Sequence, residues 1–124
     1  MWDSTNSRLV ACYAGHFRTG TLSGNSQTWG NESSAFSYAG STTSFSDVAY
    51  DVSADRYIIC FYNSSNQGCY VLGTRSGNNM SASSVYVFQS TSAVSYPNVA
   101  YNPEIERIAI IYNHSSFINV NILK

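Results

Sequence analysis

At 124 residues the chain is long enough for one ordinary domain, and its 44% hydrophobic and 15% aromatic content is too high for a disordered one. Charged residues make up only 10%, well under the ~25% of a typical soluble domain, so Ser, Asn and Thr must carry the surface. A formal charge of −1 gives no electrostatic reason to bind nucleic acid or an anionic membrane, no stretch nears the ~18 apolar residues of a membrane span, and Met1-Trp2-Asp3-Ser4 shows neither the basic region nor the apolar run of a secretory signal.

The chain begins Trp2-Asp3-Ser4-Thr5-Asn6-Ser7-Arg8, followed by the run Leu9-Val10-Ala11-Cys12-Tyr13. This passage returns as Tyr50-Asp51 through Arg56 and Tyr57-Ile58-Ile59-Cys60-Phe61-Tyr62, and again as Tyr101-Asn102 through Arg107 and Ile108-Ala109-Ile110-Ile111-Tyr112. The three arginines stand 48 and then 51 positions apart. A period of that size marks an array of like supersecondary units.

Four strands are predicted per unit. Strand A covers 47–50 and 98–101. The Asp or Asn after each aromatic (Asp3, Asp51, Asn102) can hydrogen-bond the backbone two residues on and start a tight A–B turn. Ser7, Asp55 and Glu106 precede the arginines, and the turn charges are read as caps or ion-pair partners. Strand B, at 56–62 and 107–112, is apolar almost throughout, as expected of a strand covered on both faces. Strand C covers 68–74 and 117–123. The Ser-Gly-Asn that ends Gly20-Thr21-Leu22-Ser23-Gly24-Asn25 and Gly73-Thr74-Arg75-Ser76-Gly77-Asn78 suits a turn needing φ > 0. Strand D is placed at 85–89, matched by 35–39. No helical periodicity of useful length appears.

Four antiparallel strands repeated every ~50 residues are blades of a β-propeller. The predicted fold is therefore all-β, a β-propeller-type array of four-stranded antiparallel blades with nearly three blades per chain. One repeat domain spans 1–124, divided at 1–45, 46–96 and 97–124, and the last copy lacks strand D. Cys12 and Cys60 lie four positions after their arginines, where the third copy has Ile111. A slot that accepts both Cys and Ile is a core slot, so buried free thiols are expected. No Cys/His spacing suggests zinc, and no metal or cofactor is predicted.

Strand alternation sets the B–C and D–A loops at one end of the array and the A–B and C–D loops at the other. The B–C loops, read at 14–19, 63–67 and 113–116, hold both histidines, His16 and His114, with Arg18, Asn63, Asn66, Gln67 and Asn113. Amides and hydroxyls beside aromatic strand ends suit a neutral ligand such as a glycan, although solvated loops of ordinary polarity look the same. No catalytic residues are assigned. No Ser-His-Asp arrangement can be placed, and Asp47 and Asp51 become Asn98 and Asn102 in the next copy, whereas an acid–base pair needs one unique constellation.

The run Asn98-Val99-Ala100-Tyr101-Asn102-Pro103, continued by Arg107-Ile108-Ala109-Ile110-Ile111-Tyr112, and the Gly73-to-Asn78 turn followed by Val85-Tyr86-Val87-Phe88 resemble propeller-like repeats of bacteriophage tail-fibre and other virion proteins. The resemblance covers essentially the whole chain. It implies attachment or a structural role on a virion surface or outside the cell, and it brings no catalytic residues. The sialidase Asp-box, Ser-x-Asp-x-Gly-x-Thr-Trp, is met only at Thr28-Trp29, because Leu22, Gly24 and Ser26 stand where Ser, Asp and Gly are required.

Nearly three blades fall short of the four to eight of a closed ring. Two chains paired about a two-fold axis into a six-bladed ring are expected, with a fragment of a longer propeller or fibre as the rival. The expected function is a non-enzymatic binding or structural module, recognising a surface glycan or building a virion appendage. The alternative from a different class is a glycan-processing enzyme on a propeller scaffold.

Overall fold

The computed structural model describes residues 1–13, 15–33, 44–91 and 93–124, with the backbone alone at 44–46. Every regular element among them is a strand: β1 (Trp2–Asp3), β2 (Arg8–Tyr13), β3 (His16–Ser23), β4 (Ser26–Trp29), β5 (Ser44–Asp51), β6 (Arg56–Tyr62), β7 (Gly68–Ser76), β8 (Asn79–Ala82), β9 (Tyr86–Gln89), β10 (Val94–Asn102), β11 (Arg107–His114) and β12 (Phe117–Leu123). They form three antiparallel sheets in chain order. Sheet one is β1-β2-β3-β4, sheet two is β5-β6-β7-β8 with β9 also on β7, and sheet three is β10-β11-β12. Sheet boundaries follow the sequence repeat, and among the described residues the third sheet has three strands.

The same hairpin opens each sheet. Asp3 pairs with Arg8, Asp51 with Arg56 and Asn102 with Arg107, leaving a four-residue loop between them. The Asp or Asn oxygen accepts from the loop backbone, two residues on as expected for Asp51 from Ser53 at 3.1 Å and Asn102 from Glu104 at 2.9 Å, and three residues on for Asp3 from the Asn6 amide at 3.1 Å. Each loop ends in a left-handed residue that is not glycine, Ser7 (φ 52°), Asp55 (φ 47°) and Glu106 (φ 50°).

Strand β6 is covered on both faces, as its apolar run predicts. Tyr57, Ile59 and Phe61 join Val10, Phe17, Cys69, Val71 and Met80 in a core between sheets one and two. Ile58 and Cys60 join Ala49, Val94, Val99, Ile108, Ile110 and Tyr112 in a core between sheets two and three. Burial of a large apolar side chain contributes roughly 1.5–3 kcal/mol, so these two layers hold the array together. Polar bonds cross the same junctions. The Tyr57 hydroxyl donates to Asp3 at 2.5 Å and Arg75 to the Asn6 side chain at 2.9 Å, while the Val99 amide donates to Asp47 at 3.0 Å.

Several expectations need correction. Strand β11 has only one buried face: Ile108 and Ile110 are inside, but Ile111, the counterpart of buried Cys60, is exposed because no sheet of the described residues lies beyond it. The outer strand of sheet two is split. β8 pairs with the far half of β7 and β9 with its near half, so the strand expected at 85–89 exists but follows a strand that the sequence pattern does not announce. β4 is likewise unannounced, and the strand expected at 35–39 lies outside the described residues. Two of the three B–C loops are tighter than expected. Tyr13 pairs with His16 and His114 with Phe117, so His16, Arg18, Asn113 and His114 are strand residues. Ser115 (φ 52°) and Ser116 (φ 69°) both turn left-handed, a two-residue hairpin that normally uses Asn-Gly.

Candidate functional site

The predicted B–C end separates into two groups. In sheet one, His16 and Arg18 point to the same face as Tyr13, because Tyr13 and His16 are directly paired and Arg18 is paired with Ala11. Glu32 lies over this face. The Tyr13 hydroxyl donates to the Glu32 carboxylate, and His16 Nδ1 and an Arg18 nitrogen lie 3.7 and 3.8 Å from it. Arg18 also donates to the Gly30 carbonyl at 2.9 Å and stands 5.5 Å over the Trp29 ring. The bond to Glu32 pushes the Tyr13 phenol above its ordinary value, which favours the neutral phenol and disfavours a phenolate nucleophile.

In the second group the side chains organise their own loops. Asn63 is buried; its side-chain oxygen accepts from the Ser65 and Gln67 amides, each at 3.0 Å, and its Nδ2 donates to Gln67 Oε1 at 3.0 Å. Gln67 donates onward to the Ser90 carbonyl at 2.7 Å. Asn66 is left-handed (φ 55°), and its carbonyl accepts from Val94 at 2.8 Å. His114 Nε2 meets the Thr91 hydroxyl at 3.0 Å, and Asn113 is exposed. Ser90, Thr91 and Val94 thus tie the second and third B–C turns together. His16 and His114 stay apart, each bound to partners of its own group.

The opposite end holds an arrangement that reasoning from the sequence missed. The aromatics that precede the turn Asp or Asn in each copy, Trp2, Tyr50 and Tyr101, all line one open cavity of about 520 Å³. Val48, Val99 and Pro103 add apolar wall, and Asp3, Ser4 and Thr5 supply a polar rim. The cavity gathers the strand ends where the A–B turns begin. The Tyr50 hydroxyl donates to Asp55 at 2.6 Å, while the shielded Tyr101 hydroxyl has no hydrogen-bond partner among the described residues. The signal was present in the repeat itself, since one aromatic occupies one position in every copy. Tertiary stacking of the sheets, which local sequence does not display, turns that recurrence into a cluster.

Among the described residues no group of His, Cys, Asp and Glu could hold a metal ion, and no helix is long and apolar enough to cross a membrane. The chain matches no protein-family model, and neither a curated protein nor a solved structure matches it.

Proposed function

We propose that the three sheets are successive blades of a propeller-type array and that the chain is a non-enzymatic binding module, taking a neutral ligand such as a glycan in the cavity lined by Trp2, Tyr50 and Tyr101. One observation carries this reading: three repeat-equivalent aromatics converge on a single apolar cavity rimmed by hydrogen-bonding groups. Binding sites for small molecules are built in this way, apolar walls with a few convergent polar groups. The unpaired Tyr101 hydroxyl adds an unmet hydrogen bond at the wall. A role in attachment at a virion surface rests on the resemblance of the repeat.

A neutral-glycan array followed by titration calorimetry tests the proposal. Trp2 is half exposed, so Trp2→Ala should leave the fold intact and weaken binding by about tenfold, the value of one aromatic contact. Turnover of a glycoside, or unchanged affinity in Trp2→Ala, would overturn it. The B–C residues supply the comparison: His16→Ala and Asn113→Ala should leave affinity unchanged if the ligand sits at the A–B end.

A further inference from the structure

The two sheet junctions within the chain define what a sheet of this repeat packs against. At the first junction, Arg75, near the end of β7, reaches the side chain of Asn6, the third residue of the β1–β2 loop, at 2.9 Å. The repeat identifies the counterparts of both residues. Leu22 occupies the Arg75 position: Gly20 and Gly73 align, and Leu22 pairs with Gln27 as Arg75 pairs with Met80. Each strand then turns through a left-handed glycine, Gly24 or Gly77. Ile105 occupies the Asn6 position, third in the loop between Asn102 and Arg107.

Leu22 lies in sheet one and Ile105 in sheet three, and among the described residues neither has a further sheet packed on its side. Leu22 is 53% exposed and Ile105 61% exposed. A polar pair at the internal junction is therefore matched by an apolar pair on the two free outer faces. Around Ile105 the free face holds an open groove of about 730 Å³ lined by Ala100, Ala109, Ile122 and Arg107. It continues into exposed Ile111 and Val120, which pair directly across β11 and β12. Ile58 and Cys60, the counterparts of Ala109 and Ile111 in sheet two, are fully buried by sheet three. Exposed apolar surface of this extent on a sheet face marks a contact site.

We propose that a second copy of this chain covers this face, packing its β1–β4 sheet on the β10–β12 sheet with Leu22 of the second copy seated against Ile105, and that two such contacts close a pair. The inference rests on reading the sheets as successive blades. The contact is heterologous, and two of them about a two-fold axis leave neither face open.

Native mass spectrometry and sedimentation of the whole chain test it, and a dimer is expected at micromolar concentration. Leu22→Glu and Ile105→Glu each remove one partner of both contacts and should each raise the dissociation constant by at least about a hundredfold. Because each variant keeps the complementary face intact, their equimolar mixture should associate again through one unaltered contact. The double variant L22R/I105N, which installs the Arg–Asn pair of the internal junction, should regain the dimer. A monomeric wild type, a ladder of larger oligomers, or sensitivity to only one of the two single substitutions would overturn the proposal. A folded monomer would do so while leaving the stacking of the three sheets intact. Failure of that stacking would show instead as an Arg75→Ala variant, altered at the internal junction, with unchanged unfolding.

Discussion

The Tyr57 hydroxyl of the second sheet donates to the Asp3 carboxylate of the first at 2.5 Å, with both residues buried. Burial pulls the Asp3 carboxyl up, but the bonds from Tyr57 and Asn6 outweigh it and hold it below its ordinary value. Burial, reinforced by Asp3, pushes the Tyr57 phenol well above its own. The same Asp3 caps the first hairpin through Asn6, so one carboxylate ties local turn geometry to sheet stacking.

Tyr57→Phe should therefore destabilise the protein by about 1–3 kcal/mol, since it leaves a buried carboxylate short of a donor. The sign of the pH dependence follows from the lowered carboxyl. The stabilisation is present above the ordinary value of 3.8 and is lost as pH falls through the lower folded value. Urea melts at neutral pH and near pH 3 should show the cost of Tyr57→Phe shrinking in acid, and the acid midpoint of the variant should lie higher than wild type. An equal cost at both pH values would show that the bond to Asp3 is not what the hydroxyl supplies.

Much of this architecture was legible because the repeat constrains it from several directions. The Asp or Asn after each aromatic announced the hairpins, and the unbroken apolar run 57–61 announced a strand buried on both sides. The run 108–112 looks the same in sequence, yet Ile111 is exposed, because burial on the second face depends on a neighbouring sheet rather than on local pattern. The third B–C turn looks longer in sequence than it is because Ser115-Ser116 lacks the glycine that usually signals a two-residue turn. Glu32 was not legible at all: it lies in the stretch following β4, outside the repeated motifs, and only folding brings it onto Tyr13 and Arg18. The cysteine slot is a core position only where a second sheet covers it: Cys60 is fully buried, Cys12 is half-buried against the core and Ile111 is exposed.

The left-handed turn position gives a second test. Ser7, Asp55 and Glu106 each hold φ near 50° without being glycine. That conformation costs an L-residue roughly 1–2 kcal/mol, against the 0.4–1 kcal/mol that added chain entropy takes back in a glycine variant. Glu106→Gly should therefore stabilise the protein by about 0.5–1 kcal/mol. Asp55→Gly should gain less, because it also removes the acceptor of the 2.6 Å bond from Tyr50. Thermal melts that rank Asp55→Gly above Glu106→Gly would contradict this account.

Burial pushes the thiols of Cys12 and Cys60 up to about 12 and that of Cys69 up to about 11. At pH 8 all three are protonated, and Cys60 and Cys69 have no solvent exposure. A disulfide-exchange reagent should label these two only at the rate of unfolding, with Cys12, which is partly exposed, reacting first. Because the folded values lie above the ordinary value of 9, the thiols contribute stability that is intact below pH 9 and is lost as pH climbs toward 12. Rapid labelling of Cys60 in the native protein would show that the core between sheets two and three opens freely.

Gly30 marks the closest approach of two sheets. A Cβ there would stand 1.9 Å from the Asn78 carbonyl oxygen, which belongs to the β7–β8 turn of sheet two. The same oxygen accepts from the Thr19 hydroxyl at 3.3 Å, so the turn is seated on sheet one by a hydrogen bond that needs the glycine beside it. Gly30→Ala must displace backbone, and the expected cost is about 1–3 kcal/mol. Gly24→Ala makes a useful contrast: nothing lies within 4 Å of its Cβ, and only the left-handed φ of 58° opposes it, for about 1 kcal/mol. The mechanisms separate in a double-mutant cycle with Thr19→Val. If the methyl group added by Gly30→Ala lifts the Asn78 carbonyl away, the Thr19 bond is already lost, and Thr19→Val should cost distinctly less in the Gly30→Ala background than in wild type. In the Gly24→Ala background its cost should be unchanged. Additivity with Gly30→Ala would mean that the turn stays seated and that sheet one yields instead.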